Sequence, residues 1–200
     1  DVKYKDLTGE GEVTPGASTL ENHGDLKRIG NNSPRYRVGL NLDAAWKGID
    51  FSIFFQGVLK RDWMFDAGDP YFWGAGSGMW QAACFEEHMD YWTPENTDAY
   101  YPKPYFNETK NQQAQDAYMQ KASYLRCKNI QLGYTLPTHI TEKAGISNCR
   151  IYLSCDNLFT ITGLSSVYDP EVFGSYDGYG TSGKTYPLQR TISVGVNLNF

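Results

Sequence analysis

Asp169 and Glu171 flank Pro170, and paired carboxylates can hydrolyse glycosidic bonds. The proline between them makes a turn in a loop the simpler reading. Glu86-Glu87-His88 with Asp90 offers acid–base or metal-binding groups, yet the other histidines, His23 and His139, lie far away in the chain. One histidine beside acids reads as a solvated loop segment. Asp6, Thr8, Glu10 and Gly11 stand at the spacing of an EF-hand-like calcium loop. The third position is Thr8 and the twelfth is Ala17, where a bidentate Glu is needed. A plain glycine-rich loop therefore fits better. Calcium at Asp6 and Glu10 is the doubtful alternative, and no other cofactor or metal is expected. Cys84, Cys127, Cys149 and Cys155 include no CxxC pair and form neither a metal pattern nor a disulfide framework. There is no GxSxG elbow, no nucleophile–base pairing and no phosphate loop. The expectation is a protein that is not an enzyme.

The remaining chemistry is aromatic. The 200 residues hold 15 Tyr, 10 Phe and 5 Trp, an apolar load too large for a disordered chain. Net charge is −5 with no basic cluster, which argues against a nucleic-acid surface. Mean hydropathy is −0.53, and no apolar run approaches the roughly 18–20 residues of a membrane helix. A polar average with many aromatics is what a two-faced sheet would give. The alternation is explicit at the end of the chain. Ile192, Val194, Val196, Leu198 and Phe200 alternate with Ser193, Gly195, Asn197 and Asn199. This run has the length of a tilted strand crossing a bilayer, about 9–11 residues, and it stops on an aromatic residue. A soluble antiparallel strand gives the same alternation, but the run to a terminal Phe resembles the closing strand of outer-membrane β-barrels, and a barrel-closing strand is the expectation.

Further strands are expected near 34–46, 47–59, 122–136 and 149–161, with the last near 188–200. Val38, Leu40 and Leu42 share a face, as do Ile49, Phe51, Ile53 and Phe55, and Trp46-Lys47-Gly48 between the two runs signals a tight hairpin. In the third run the apolar phase shifts from Leu125 and Cys127 to Ile130, Leu132 and Tyr134, so a β-bulge is expected near Lys128–Asn129. Connections alternate in length, with long loops at 60–121 and 163–187 and shorter ones at the other end. That is the pattern of a transmembrane barrel with short periplasmic turns and long external loops. Five strands leave two open edges, which do not persist against lipid. The expected fold is therefore all-β, the antiparallel strands of a larger barrel. The start Asp1-Val-Lys agrees with a removed signal peptide or a piece of something longer.

Several segments carry a family resemblance together. They are Asp1-Val-Lys-Tyr-Lys-Asp-Leu-Thr-Gly-Glu-Gly11, Ile29-Gly-Asn-Asn-Ser-Pro-Arg-Tyr36, Gly48-Ile-Asp-Phe-Ser-Ile-Phe-Phe-Gln-Gly57 and Tyr91-Trp-Thr-Pro-Glu-Asn96. After them come Ala122-Ser-Tyr-Leu-Arg-Cys-Lys-Asn-Ile-Gln-Leu-Gly-Tyr134, Asp156-Asn-Leu-Phe-Thr160, Tyr168-Asp-Pro-Glu171 and Tyr186-Pro-Leu-Gln-Arg-Thr191. In this order they resemble the C-terminal part of SusC/RagA-type TonB-dependent outer-membrane transporters. The resemblance implies a barrel of about 22 strands in the full protein, with a plug in its lumen. It also implies a SusD-like surface lipoprotein as lid, energy from TonB, and oligosaccharide or peptide cargo. The place would be the outer membrane of a Gram-negative bacterium. Residues 1–200 would be the last part of the wall, without plug or TonB-contacting segment.

On this reading Trp73, Trp80, Tyr91, Trp92, Tyr168 and Tyr176 are candidates for ligand or partner contact, since aromatic rings stack on sugars and anchor interfaces. Packing of the loops against themselves is the simpler use of the same rings. Trp46 and Tyr134 suit an interfacial girdle. Arg126 and Lys128 line the lumen or the outer rim, with salt bridges and lipopolysaccharide contact both open. The competing reading is a soluble, aromatic-rich β-sandwich that binds glycans. It requires the apolar strand faces to pack on one another. A hydrolase built on Asp169 and Glu171 is the third.

Overall fold

A computed structural model describes residues 2–77, 82–173 and 185–200. The chain divides into two compact units, one drawn from residues 33–62, 121–174 and 185–200, the other from 1–32, 63–120 and 175–184.

The first unit is an antiparallel sheet. β1 (Arg37–Trp46) and β2 (Ile49–Val58) form a hairpin. β3 (Asp62–Trp63) is short, and β4 (Gln120–Thr135) is the longest strand. β5 (Asn148–Asp156), β6 (Thr160–Gly163) and β7 (Thr191–Asn199) complete it. The order is β1-β2-β4-β5-β7, with β3 and β6 both paired to β4.

Local chemistry explains the register. The hairpin turns on Lys47 and Gly48 alone, both at positive φ (47° and 86°). That is the twist a two-residue hairpin requires. A Cβ on Gly48 would also lie 2.8 Å from the Thr135 carbonyl oxygen, so only glycine lets β4 approach. The bulge expected from the phase shift is present. Phe54 pairs with Asn129 and Phe55 with Cys127, leaving Lys128 as the extra residue. Opposite it, Asn157 at φ 51° breaks the neighbouring strand into β5 and β6. The ladder still closes there, through N–H donation from Asn157 to Lys128 C=O, Leu158 to Cys127 C=O and Cys127 to Phe159 C=O. The sequence reading has a single strand over 149–161. The structure kinks it because the partner strand carries one residue more.

Pairing aligns the alternating side chains into rows that run from edge to edge. Leu42, Ile53, Ile130, Cys155 and Ile192 form one row, and Ala44, Phe51, Leu132, Leu153 and Val194 the next. Trp46, Ile49, Tyr134, Ile151 and Val196 form a third. Most large side chains of these rows are exposed, Val194 to 74%, while Phe51, Ile53 and Ile130 are half-buried. The opposite face carries Asp43, Ser52, Gln131, Ser154 and Ser193 in one row, and Ala45, Asp50, Gly133, Tyr152 and Gly195 in another. Arg150 crosses that face to Asp50, Nε to Oδ1 at 2.9 Å, and donates to Gln131 Oε1 at 2.8 Å. Gly133 leaves the space the pair occupies, and the Tyr152 ring lies over Gly195.

Short connections lie at one end of the sheet. There the turn at Lys47–Gly48 sits beside the 136–147 link, which holds a short helix, Thr138–Thr141, and ends at Gly145 (φ 72°). Ser147 N–H donates to Asn199 C=O at this same end (2.8 Å). The long connections leave from the other end, at Val58, Gln120, Gly163 and Thr191. On the apolar face Cys127 and Cys155 are buried beside the bulge. At the long-loop end of the polar face Val58, Tyr124 and Arg126 are buried, as are Leu164, Tyr168 and Phe173 of the loop that follows.

Candidate functional site

The second unit builds a body from the 63–120 loop. Phe65 and Phe72 are fully buried and stack with ring centroids 4.5 Å apart. Trp73 meets Phe72 and Tyr118 edge-on, at 4.8 and 4.9 Å. Such arrangements suit the ring quadrupoles. Asp69 is buried because its Oδ1 accepts the N–H groups of Tyr71 and Phe72, closing the turn that presents the rings. Gln112 donates to Gly76 C=O and accepts from Gly68 N–H, both at 2.6 Å, tying three stretches of loop together.

His88 is part of this body. Its Nδ1 accepts the Phe85 N–H at 3.0 Å and its Nε2 sits 3.1 Å from the Phe72 carbonyl oxygen. Accepting at Nδ1 and donating from Nε2 is the arrangement of the Nε2–H tautomer. Its neighbours in sequence face elsewhere. Glu87 accepts from Tyr101 OH at 3.1 Å, while Asp90 accepts the Tyr100 N–H and a hydrogen bond from Asn96. Burial, with Glu87 beside it, drives the Tyr101 hydroxyl far above the ordinary phenol range. Burial and Tyr100 push Tyr118 up to about 12. These phenols therefore stay protonated and serve as hydrogen-bonding core.

Two cavities open on this body, of about 250 and 330 Å³. Trp73, His88, Met89 and Tyr91 line the first, Trp92 and Tyr118 the second, and Pro102, Lys103 and Tyr105 border both. Tyr105 carries Lys110 Nζ 4.5 Å from its ring centroid and Lys103 Nζ at 5.6 Å. Of the aromatic candidates, Trp73 is only 5% exposed and donates its indole N–H to Asp66 C=O. Tyr91 and Trp92 are partly exposed. Tyr168 is 5% exposed and belongs to the other unit. Trp80 and Tyr176 lie outside the described residues. The structure thus brings Trp73, Tyr91 and Trp92 to neighbouring cavity walls and buries Tyr168 elsewhere.

Asp169 and Glu171 face the polar side of the sheet. Arg126 donates Nε to Thr160 Oγ1 (2.8 Å), Nη2 to Asp169 (2.7 Å) and Nη1 to Glu171 (3.0 Å). Lys128 joins Glu171 at 3.1 Å. Asp169 also accepts the N–H groups of Glu171 and Leu188, both at 2.9 Å. Burial alone would raise the Asp169 carboxyl. The Glu171 N–H, the Arg126 guanidinium and the Leu188 N–H outweigh it and hold the carboxyl below its ordinary range. The ion pairs to Arg126 and Lys128 make this pair of carboxylates an anchor. The adjacency of Asp169 and Glu171 was visible in sequence; their partners, more than forty residues away, were not.

In the N-terminal loop Asp6 accepts N–H from Gly9 and Gly11, and Asp25 accepts from Leu7, Thr8 and Thr14. Those donors lower both carboxyls. Asp25, which sequence reasoning missed, shares Thr8 with Asp6. Glu10 is exposed. Among the described residues no group of three or more His, Cys, Asp or Glu is placed to hold a metal ion.

A sheet apolar on one face from edge to edge, polar on the other, and with its long loops at one end is a wall segment of a transmembrane β-barrel. Known proteins agree. TonB-dependent receptor P3 of Formosa agariphila is 29% identical over 204 residues, which cover 98% of this chain and 19% of the receptor. TonB-dependent receptor P26 of the same organism is 26% identical over 207 residues, 100% of this chain and 19% of that receptor. The RagAB peptide importer in its 'open-open' state superposes with a TM-score of 0.61 at 28% identity, over 84% of this chain and 17% of that one. Its 'closed-closed' state gives 0.60 at 25%, over 90% and 18%. No protein-family model matches the chain. The chain is thus similar to a barrel segment of TonB-dependent receptors and of the RagAB importer, and it spans about a fifth of the length of the receptors it matches.

Proposed function

We propose that these residues form part of the wall and external loops of a TonB-dependent outer-membrane importer for glycan or peptide oligomers. It would work with a SusD-like surface lipoprotein. The observation that carries this reading is the set of apolar rows that continue across the strands and remain largely exposed. Each large apolar side chain left in water forgoes about 1.5–3 kcal/mol, and lipid supplies that burial. On this orientation the turn at Lys47–Gly48 and the 136–147 link are periplasmic, and the loops from 59 and 164 onward are external. TonB would act through parts of the protein outside this chain. The chemistry is transport, with no catalytic step assigned to these residues.

The test is the intact mass of the native polypeptide in a detergent-solubilised outer-membrane fraction. A chain several times 22.6 kDa supports the importer. A free chain of that mass, folded and soluble without detergent, overturns it in favour of a glycan-binding sandwich.

A further inference from the structure

The segment Leu164–Phe173 lies at the outset of a long external connection, where a mobile lid would be the ordinary expectation. Its contacts say otherwise. Arg126 pairs across the sheet with Gln56 on one side and Thr160 on the other, which places it on the polar face. The segment folds down onto that face. Leu164, Tyr168, Pro170 and Phe173 are buried, and the Arg61 guanidinium stacks on the Phe173 ring at 4.7 Å. The side chains of Arg126 and Asp169 are 4% and 5% exposed, so the ion pair is sealed from solvent. Every arm of the Arg126 fork is used, on Thr160, Glu171 and Asp169. Asp169 in turn ties Leu188, so the same carboxylate fixes the return toward β7. Two cations and two anions make the cluster neutral, and it offers no free charge to passing cargo.

Resting on the barrel reading above, we propose that Arg126 is a positioning residue of the cargo path. It bolts Leu164–Phe173 to the inner face of the wall as a fixed ledge. At the outer end of this stretch of wall, cargo then meets the upper surface of the ledge, where Ser166 is exposed, in place of the strand ends beneath it. A segment that gates transport draws on weakly held structure; a buried guanidinium shared between two carboxylates by charge-assisted hydrogen bonds is the reverse. Lys128, two residues on from Arg126 and at the bulge in β4, supplies the second cation of the anchor.

The experiment uses the full-length protein in detergent micelles, with Ser166→Cys carrying a nitroxide. Exposed Cys84 and other reactive thiols are replaced. Spin-label mobility at position 166 is read beside the heat-resistant gel migration that reports an intact barrel. The label should be immobilised in the parent, several-fold faster in Arg126→Gln, and intermediate in Arg126→Lys, with the barrel band unchanged. If Arg126→Gln does not assemble, Glu171→Gln carries the same comparison at a more open position. A label that tumbles freely in the parent overturns the ledge. So does equal mobility in parent and variant with the barrel intact. Loss of the heat-resistant band in the parent would instead overturn the barrel reading.

Discussion

Gly74 shows how much one residue decides in the 63–120 loop. Its φ is 56°, and a Cβ there would stand 2.7 Å from His88 Nδ1. Gly74→Ala combines left-handed strain, roughly 1–2 kcal/mol, with a clash against the ring that ties Phe85 to Phe72. The expected result is loss of amide-exchange protection at Phe85, His88 and Tyr101, with the barrel strands unaffected. Asp169 makes a pH prediction. Its carboxyl is lowered from 3.8 in the folded protein, so its contribution is complete above about pH 4 and is lost as pH falls through the folded value. A spin label at position 166 should stay immobilised from neutral pH down to that point and loosen below it, within the acid range. Loosening already near neutral pH would contradict the assignment.

Strands and turns decide which side chain meets lipid. Val194 and Ser193 are neighbours in β7 but belong to opposite faces. Val194→Arg should destabilise the full-length barrel by about 2–4 kcal/mol, as a cation on a lipid-facing row does near the membrane midplane. Ser193→Arg should cost far less, because its row faces the polar interior. Urea unfolding of the two variants in lipid vesicles measures the difference, and equal costs would refute the face assignment. Gly48→Ala adds strain at φ 86° and presses on the Thr135 carbonyl. It should slow assembly of the β1–β2 hairpin onto β4, read as delayed appearance of the heat-resistant band.

At the scale of the whole molecule the sheet is incomplete by itself. β1 and β7 are its edges, and unpaired edge groups in lipid cost several kcal/mol each. Residues 1–200 expressed alone should therefore require detergent to stay dispersed. Sedimentation with and without detergent checks this, and a monodisperse chain in plain buffer would favour the sandwich. The two halves of the structure divide the labour: a two-faced wall, and a loop body whose aromatic rings mostly hold one another. Trp73 illustrates the second point, since a ring proposed for ligand contact is largely spent on Phe72 and Tyr118.

Period-two alternation is a local property, so the strands, the terminal run to Phe200 and even the bulge at Lys128 were legible in the residues alone. A phase shift in apolar spacing has one cheap remedy, an extra residue, and β4 uses it. The Lys-Gly turn was legible for the same reason, because two residues at positive φ suffice to set the hairpin. Partnerships across the sheet were not. Asp50 and Arg150 are 100 residues apart and meet over Gly133 only once β4 has been inserted between their strands. Asp169 and Glu171 read as a possible catalytic pair until folding set Arg126 and Lys128 beneath them. His88 read as a solvated loop residue until Phe72 and Phe85 closed around it. Charge pairing and burial depend on which distant segments share a face. Only the assembled register and the packed loop decide that.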